Sequence, residues 1–115
     1  MIVVIDDERT FSGHVDYYLR NSNDALGFLA RNLLEYLSSY GEPIDELWLD
    51  HDLGGIDDIR IVVDFLLLVV KPMWIRHIYV HSQNPTTYWI VTSLKSTGYN
   101  VARSPLPELS ERVSE

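Results

Sequence analysis

Acidic and imidazole side chains directly follow three apolar runs of this 115-residue sequence. They are Asp6 and Asp7 after the first run, Asp50, His51 and Asp52 after the second, and His81 after the third. Two like charges about 4 Å apart repel by roughly 4 kcal/mol at an effective dielectric constant near 20. Converging carboxylates therefore need a cation, a shared proton or basic neighbours. Their hard oxygens favour Mg²⁺, Mn²⁺ or Ca²⁺, so we expect Asp6, Asp7 and Asp50 to hold a divalent metal, with Mg²⁺ or Mn²⁺ first.

A divalent ion beside imidazoles suits phosphoryl chemistry, because the ion neutralises phosphate charge while a histidine moves the proton. His81 is the first candidate acid or base and His51 the second, and Asp52 would orient a histidine or complete the metal shell. The predicted phosphate-binding residues are Ser82, Asn84 and Arg103.

Each of these residues also has a purely structural interpretation. An aspartate at a strand end often caps the following loop, and a histidine can be a satisfied core residue. Ser82 can form a turn, and Asn84 before Pro85 can cap a helix. The three tryptophans are expected in the core or at an interface: Trp48, Trp74 and Trp89.

Strands and helices alternate in the pattern that positions such groups at one edge of a sheet. Strands are predicted over 2–5, 47–49, 77–80 and 99–102, with a weak one over 15–19, and helices over 24–39, 58–71 and 85–97. This order predicts an α/β fold, doubly wound, with a mostly parallel sheet of about five strands and helices on both faces. Ligands of such folds bind beyond the carboxyl ends of the strands. The second strand is difficult to place, because residues 9–14 are too few for a helical crossover, so it is unusual, antiparallel or absent.

Composition limits the classes of protein that need considering. Hydrophobic residues make up 46%, cysteine is absent and the formal net charge is −8. The first two observations fit a single globular domain without disulfides, which we place over 1–105 with a tail over 106–115. The negative charge argues against bulk attraction to nucleic acid or anionic membranes. With no signal-peptide pattern and no apolar run long enough to span a bilayer, a cytoplasmic location is expected.

The predicted helix over 58–71 is unusually apolar. Between Ile59 and Val70 the polar residues are Arg60 and Asp64. A helix on one face of a sheet needs an apolar surface on about half of its circumference. The surplus predicts a homodimer through this helix, unless the segment is partly strand or is covered by the tail.

These motifs resemble response-regulator receiver domains, and more closely the cyclic-phosphate processing receiver domain. The motifs that carry the resemblance are Asp6-Asp7-Glu8-Arg9, Leu49-Asp50-His51-Asp52-Leu53-Gly54 and Val80-His81-Ser82-Gln83-Asn84-Pro85. The resemblance implies a receiver-like (flavodoxin-like) fold and a cyclic phosphate or related nucleotide or RNA end as substrate. Together with the carboxylates it points to a metal-assisted phosphoesterase.

The sequence departs from the receiver pattern at one charged position. Ser104, before Pro105, stands where receivers carry a lysine that contacts the phosphoryl group. Two other interpretations stay open, although the missing lysine counts against the first of them. The chain is a degenerate receiver that signals through Asp50, or a non-catalytic protein that binds a nucleotide or a partner through the same pocket.

Overall fold

The structure, a computed structural model, describes residues 1–8, 13–38, 41–50, 59–69, 72–81 and 87–103. Within these ranges five strands alternate with three α-helices and one 3₁₀ turn. The elements are β1 (Ile2–Ile5), β2 (Tyr17–Leu19), α1 (Ser22–Leu37), β3 (Ile44–Asp50), α2 (Arg60–Leu68), the 3₁₀ turn Pro72–Trp74, β4 (Ile75–His81), α3 (Thr87–Ser96) and β5 (Val101–Arg103). The predicted boundary between a domain over 1–105 and a tail over 106–115 lies outside the described residues.

The five strands form one parallel sheet in the order β2-β1-β3-β4-β5. This arrangement confirms the predicted receiver-like α/β fold. β1 is an interior strand between β2 and β3, and Val3, Val4 and Ile5 are buried as its β-branched sequence predicts. The strand ends are also aligned, because Ile5 pairs with Leu49 and Asp50 pairs with His81.

The second strand, which the sequence left unplaced, is parallel to β1 at the edge of the sheet. Tyr17 pairs with Val3 and Leu19 pairs with Ile5. The connection over 6–16 is shorter than the dozen or so residues that a parallel crossover usually takes. β2 is thus a three-residue edge strand that follows β1 without a helical crossover of the usual length.

Local signals set the bounds of the helices. The Asn21 side chain accepts a hydrogen bond from the backbone N–H of Asp24 at 2.8 Å, so α1 begins two residues before the predicted start. α3 is followed by Gly98, whose φ of 102° is the left-handed conformation that glycine adopts most easily. α2 is shorter than the predicted 58–71.

All three described helices pack on the same face of the sheet. The crossovers from β2 to β3, β3 to β4 and β4 to β5 run in one direction, so right-handed connections put their helices on one side. The main core contains residues from each helix together with alternate strand residues; examples are Leu29, Leu66, Ile90, Leu47 and Val80. The prediction of a helical layer is thus confirmed for this face.

The opposite face carries a smaller aromatic cluster. Val4 and Trp48 are buried there, and Tyr18 and Tyr79 pack against them. The Trp48 and Tyr79 rings stack with their centroids 4.5 Å apart. No described helix contributes to this cluster, because the three helices predicted from the sequence correspond to α1, α2 and α3, which all pack on the other face.

A buried hydrogen-bonded triad joins α2, the 3₁₀ turn and the segment between α3 and β5. The indole N–H of Trp74 donates to the Tyr99 hydroxyl at 3.2 Å, and that hydroxyl donates to the Leu66 carbonyl at 3.1 Å. Trp48 and Trp74 are buried and Trp89 is partly buried against the core, as predicted for the tryptophans. None of the described helices combines the length and the apolar character needed to cross a membrane.

Candidate functional site

Three carboxylates meet at the carboxyl edge of the sheet. Asp6 and Asp7 directly follow β1, and Asp50 is the last residue of the neighbouring β3. One carboxylate oxygen from each residue lies within 4.8 Å of the other two. Asp6 is buried and the other two are partly buried. The structure therefore brings together the three aspartates that the sequence singled out as metal ligands.

Asp6 is held in place by hydrogen bonds from both its backbone and its side chain. Its N–H donates to the Leu19 carbonyl at 3.1 Å, which extends the β1–β2 pairing by one residue. Its carboxylate Oδ1 accepts from the Glu8 N–H at 3.0 Å, a local Asx turn. Asp6 thus caps the following loop, the structural alternative considered for it, and at the same time belongs to the acidic cluster.

His81 lies beside the cluster on the next strand. It is the last residue of β4, is paired in register with Asp50, and is 3% exposed. Aligned residues of neighbouring strands place their side chains on the same face of a sheet. The imidazole and the Asp50 carboxylate therefore share a face at the same edge, as a proton-transferring histidine beside a metal requires.

Arg20 belongs to this edge as well, although sequence analysis did not single it out. It directly follows β2, and its Nη1 donates to the Asp6 carbonyl at 3.1 Å. Its guanidinium carbon lies 4.6 Å from the centroid of the Tyr18 ring, a cation–π contact. The sequence indicates that Arg20 follows a possible strand, but this position suggests a site residue only when β2 is known to lie beside β1. Arg20 brings a permanent positive charge to the edge that carries three carboxylates.

The remaining predicted site residues divide into two groups. Arg103 is the last residue of β5 and pairs with Val80, so it reaches the same edge of the sheet two strands from Asp50. The others lie outside the described residues, and their predicted roles stay predictions: His51, Asp52, Ser82 and Asn84.

The donor set of the cluster fits a hard divalent cation. Mg²⁺ and Mn²⁺ take carboxylate oxygens, and Mg²⁺ commonly uses one or two carboxylates together with water and substrate oxygens. Asp6, Asp7 and Asp50 offer three such groups within 4.8 Å. The described site thus combines metal-type ligands, an imidazole and a guanidinium, which is a set of groups suited to binding and cleaving a phosphate ester.

Comparison with known proteins relates the chain to a family. The family model of the cyclic-phosphate processing receiver domain matches residues 1–96. No curated protein and no solved structure matches the chain. The matched range includes β1, β3 and β4 with their polar ends, whereas Arg103 lies beyond it.

Proposed function

The chain belongs to the cyclic-phosphate processing receiver domain family, and we propose that it is a metal-assisted phosphoesterase acting on a cyclic phosphate or a related nucleotide or RNA end. The observation that supports this proposal most directly is the convergence of Asp6, Asp7 and Asp50 at the carboxyl edge of the sheet. The family relation supports the substrate class, and the three carboxylates support the involvement of a metal.

In this proposal Asp6, Asp7 and Asp50 hold one Mg²⁺ or Mn²⁺ ion. When bound, such an ion neutralises phosphate charge. The Glu8 N–H holds one oxygen of the Asp6 carboxylate, which limits its rotation. Arg20 provides a second positive charge and, through its bond to the Asp6 carbonyl, keeps the backbone of the cluster in place.

His81 transfers the proton in the proposed reaction. Hydrolysis of a cyclic phosphate forms one P–O bond to a water oxygen and breaks one P–O bond to a ribose-type oxygen. A base takes the proton of the water, and an acid returns a proton to the leaving oxygen, so no net proton is consumed at the ester. His81 takes one of these roles and His51 the other, with Asp52 orienting one of the two imidazoles. The phosphate oxygens are bound by Ser82, Asn84 and Arg103.

A direct assay tests this function. The purified chain is incubated with nucleoside 2′,3′-cyclic phosphates, with Mg²⁺, Mn²⁺ or a chelator, and the products are separated by chromatography. We expect opening of the cyclic ester that requires the metal and is lost in Asp50→Asn. Asp64→Asn, an equal charge change on the exposed surface of α2, is the matched control and should keep full activity.

The outcomes separate the proposal from the two other functions. Absence of turnover for every cyclic and linear ester, combined with thermal stabilisation by nucleotides, would favour a non-catalytic binding protein. A degenerate receiver is favoured by the place of Asp50 at the end of β3, where receivers carry their phospho-accepting aspartate. Phosphorylation of Asp50 by a small donor, without ester cleavage, would identify that function.

A further inference from the structure

A cavity of about 520 Å³ lies at the edge of the sheet opposite the acidic cluster. Met1 and Tyr17, at the amino ends of β1 and β2, form one side of it, and α1 and the segment before β3 form the others. Its volume is in the range of small-molecule sites. Nothing in the proposed phosphoesterase function uses this edge of the sheet.

One face of α1 forms the long wall of the cavity. This wall is formed by four residues of α1 that lie three or four positions apart on adjacent turns, and so share one helix face: Phe28, Arg31, Asn32 and Glu35. The Phe28 ring contacts the Tyr17 ring, with the centroids 4.8 Å apart. This wall therefore combines an aromatic pair, a guanidinium, an amide and a carboxylate.

The opposite wall is held close to α1 by Gly41. The Gly41 N–H donates to the Glu35 carbonyl at 3.1 Å, and a Cβ at position 41 would lie 2.8 Å from the Cβ of Glu35. That approach requires glycine, since Cβ atoms do not come so close. It brings Glu42, the next residue, to the same cavity as Glu35.

The polar side chains on the α1 wall of the cavity are not engaged by the part of the chain that the structure describes. Asn32 is 6% exposed, and its Oδ1 has no hydrogen-bond partner among the residues that the structure describes. Among the described residues there is also no ion-pair partner for the side chains of Arg31, Glu35 and Glu42. The neighbouring Asp16 and Asp45, in contrast, are bound at 2.6 Å to the Ile2 N–H and the Met1 amine. An unsatisfied buried amide is costly, so a partner for Asn32 is expected.

We propose that this cavity binds a guanidinium-bearing ligand of about amino-acid size. The Met1 amine is paired with Asp45, so the two carboxylates of Glu35 and Glu42 exceed the remaining positive charge, that of Arg31, and the polar lining favours a cation. A guanidinium is planar, pairs with a carboxylate through two parallel hydrogen bonds and stacks on aromatic rings. The Tyr17–Phe28 pair supplies those rings, and Asn32 can present either its oxygen or its NH₂ group, since a half-turn of the amide exchanges the two.

An NMR titration of the full chain tests the proposal. L-arginine is added through the millimolar range to the ¹⁵N-labelled protein, and L-citrulline, which replaces the guanidinium by a neutral urea group of the same shape, is the matched ligand. We expect saturable shifts of the Tyr17, Phe28 and Gly41 amides with arginine, and binding at least about tenfold weaker with citrulline. N-acetyl-L-argininamide distinguishes an arginine within a peptide from the free amino acid, and binding of either supports the guanidinium site.

Variants decide whether the shifts report this cavity. Glu35→Gln and Glu42→Gln should each weaken arginine binding by on the order of tenfold, since a charged hydrogen bond is lost. Asp64→Asn on α2 removes the same charge outside the cavity and should leave the affinity unchanged. Any of three results would overturn the proposal. Citrulline binds as tightly as arginine, arginine gives no saturable shifts, or Glu35→Gln and Glu42→Gln leave the affinity unchanged as Asp64→Asn does.

Discussion

Asp50 and His81 are direct neighbours in the sheet, paired in register at the carboxyl ends of β3 and β4. Their side chains share a face, and Asp50 is at the same time one of three carboxylates whose oxygens lie within 4.8 Å. Strand pairing thus places a buried imidazole beside Asp50, and the first two residues after β1, Asp6 and Asp7, complete the metal-type cluster.

The first prediction concerns the metal. Saturating Mg²⁺ or Mn²⁺ should raise the melting temperature, because a ligand that binds the folded state alone stabilises it. Asp50→Asn removes one ligand charge and should abolish the rise, whereas Asp64→Asn should preserve it. Differential scanning fluorimetry across millimolar metal measures the effect. A melting temperature that does not respond to metal in the wild type would count against a metal site.

The second prediction concerns proton transfer. His81→Ala should lower the rate of ester hydrolysis by roughly 10²–10⁴-fold, the usual contribution of a general acid or base. His77→Ala is the matched control, since His77 lies on the same strand but is exposed, and it bonds to Asn100 at 2.8 Å. Steady-state rates of both variants measure the effect on hydrolysis, and circular dichroism spectra show whether each variant is folded. Unchanged turnover in a folded His81→Ala variant would remove His81 from the mechanism.

The third prediction concerns phosphorelay. Acetyl phosphate should give no stable adduct on Asp50, because Ser104 cannot supply the charge that the receiver lysine provides. Intact-mass spectrometry would detect the addition of one phosphate group. An adduct in the wild type that disappears in Asp50→Asn would contradict the prediction, and its further loss in Arg20→Ala would show that Arg20 replaces the lysine.

The fourth prediction concerns the buried hydroxyl of Tyr99. Tyr99→Phe leaves the Trp74 indole N–H and the Leu66 carbonyl without this partner. The free energy of unfolding should fall by about 1–3 kcal/mol, the cost of an unsatisfied buried polar group. Urea unfolding at neutral pH measures the loss. Tyr88→Phe is the matched control, since Tyr88 is 72% exposed, and it should have little effect.

The same residue gives a pH dependence with a defined sign. Burial raises the pKa of Tyr99 above its ordinary value of 10.0, opposed in part by the hydrogen bond from Trp74. The folded state therefore keeps this proton to higher pH than the unfolded chain does. The resulting stability is fully present below about pH 10 and is lost as the pH rises through the folded-state pKa. The difference in unfolding free energy between wild type and Tyr99→Phe should shrink above pH 10, and a constant difference would contradict this assignment.

The fifth prediction concerns self-association through α2. The helix buries Val62, Val63 and Leu66, while Ile61 and Leu68 are exposed by 41% and 80% and lie seven residues apart on one face. Light scattering at micromolar concentration should give a dimer mass for the wild type, twice the 13.3 kDa of the chain. Leu68→Glu should return it to a monomer. A strictly monomeric wild type would refute the predicted dimer.

The sequence determined most of the sheet and the composition of the acidic site. Apolar β-branched runs define central strands by their hydrophobicity alone, as for residues 2–5. Parallel strands end at the same edge of a sheet, so the sequence alone predicted that Asp6, Asp7 and Asp50 lie together. The sequence also predicted both ends of α1 within two residues.

The tertiary structure alone decided the features that depend on contacts between distant segments. The direction of β2 followed from pairing with β1, since a three-residue strand has too little sequence pattern to indicate a partner. Arg20 became part of the site only through that pairing. The cavity between α1, Tyr17 and Glu42 likewise depends on how closely Gly41 approaches Glu35. Hydrophobic periodicity is a local property that selects strands and helices, whereas such contacts are set by the packing of the whole sheet.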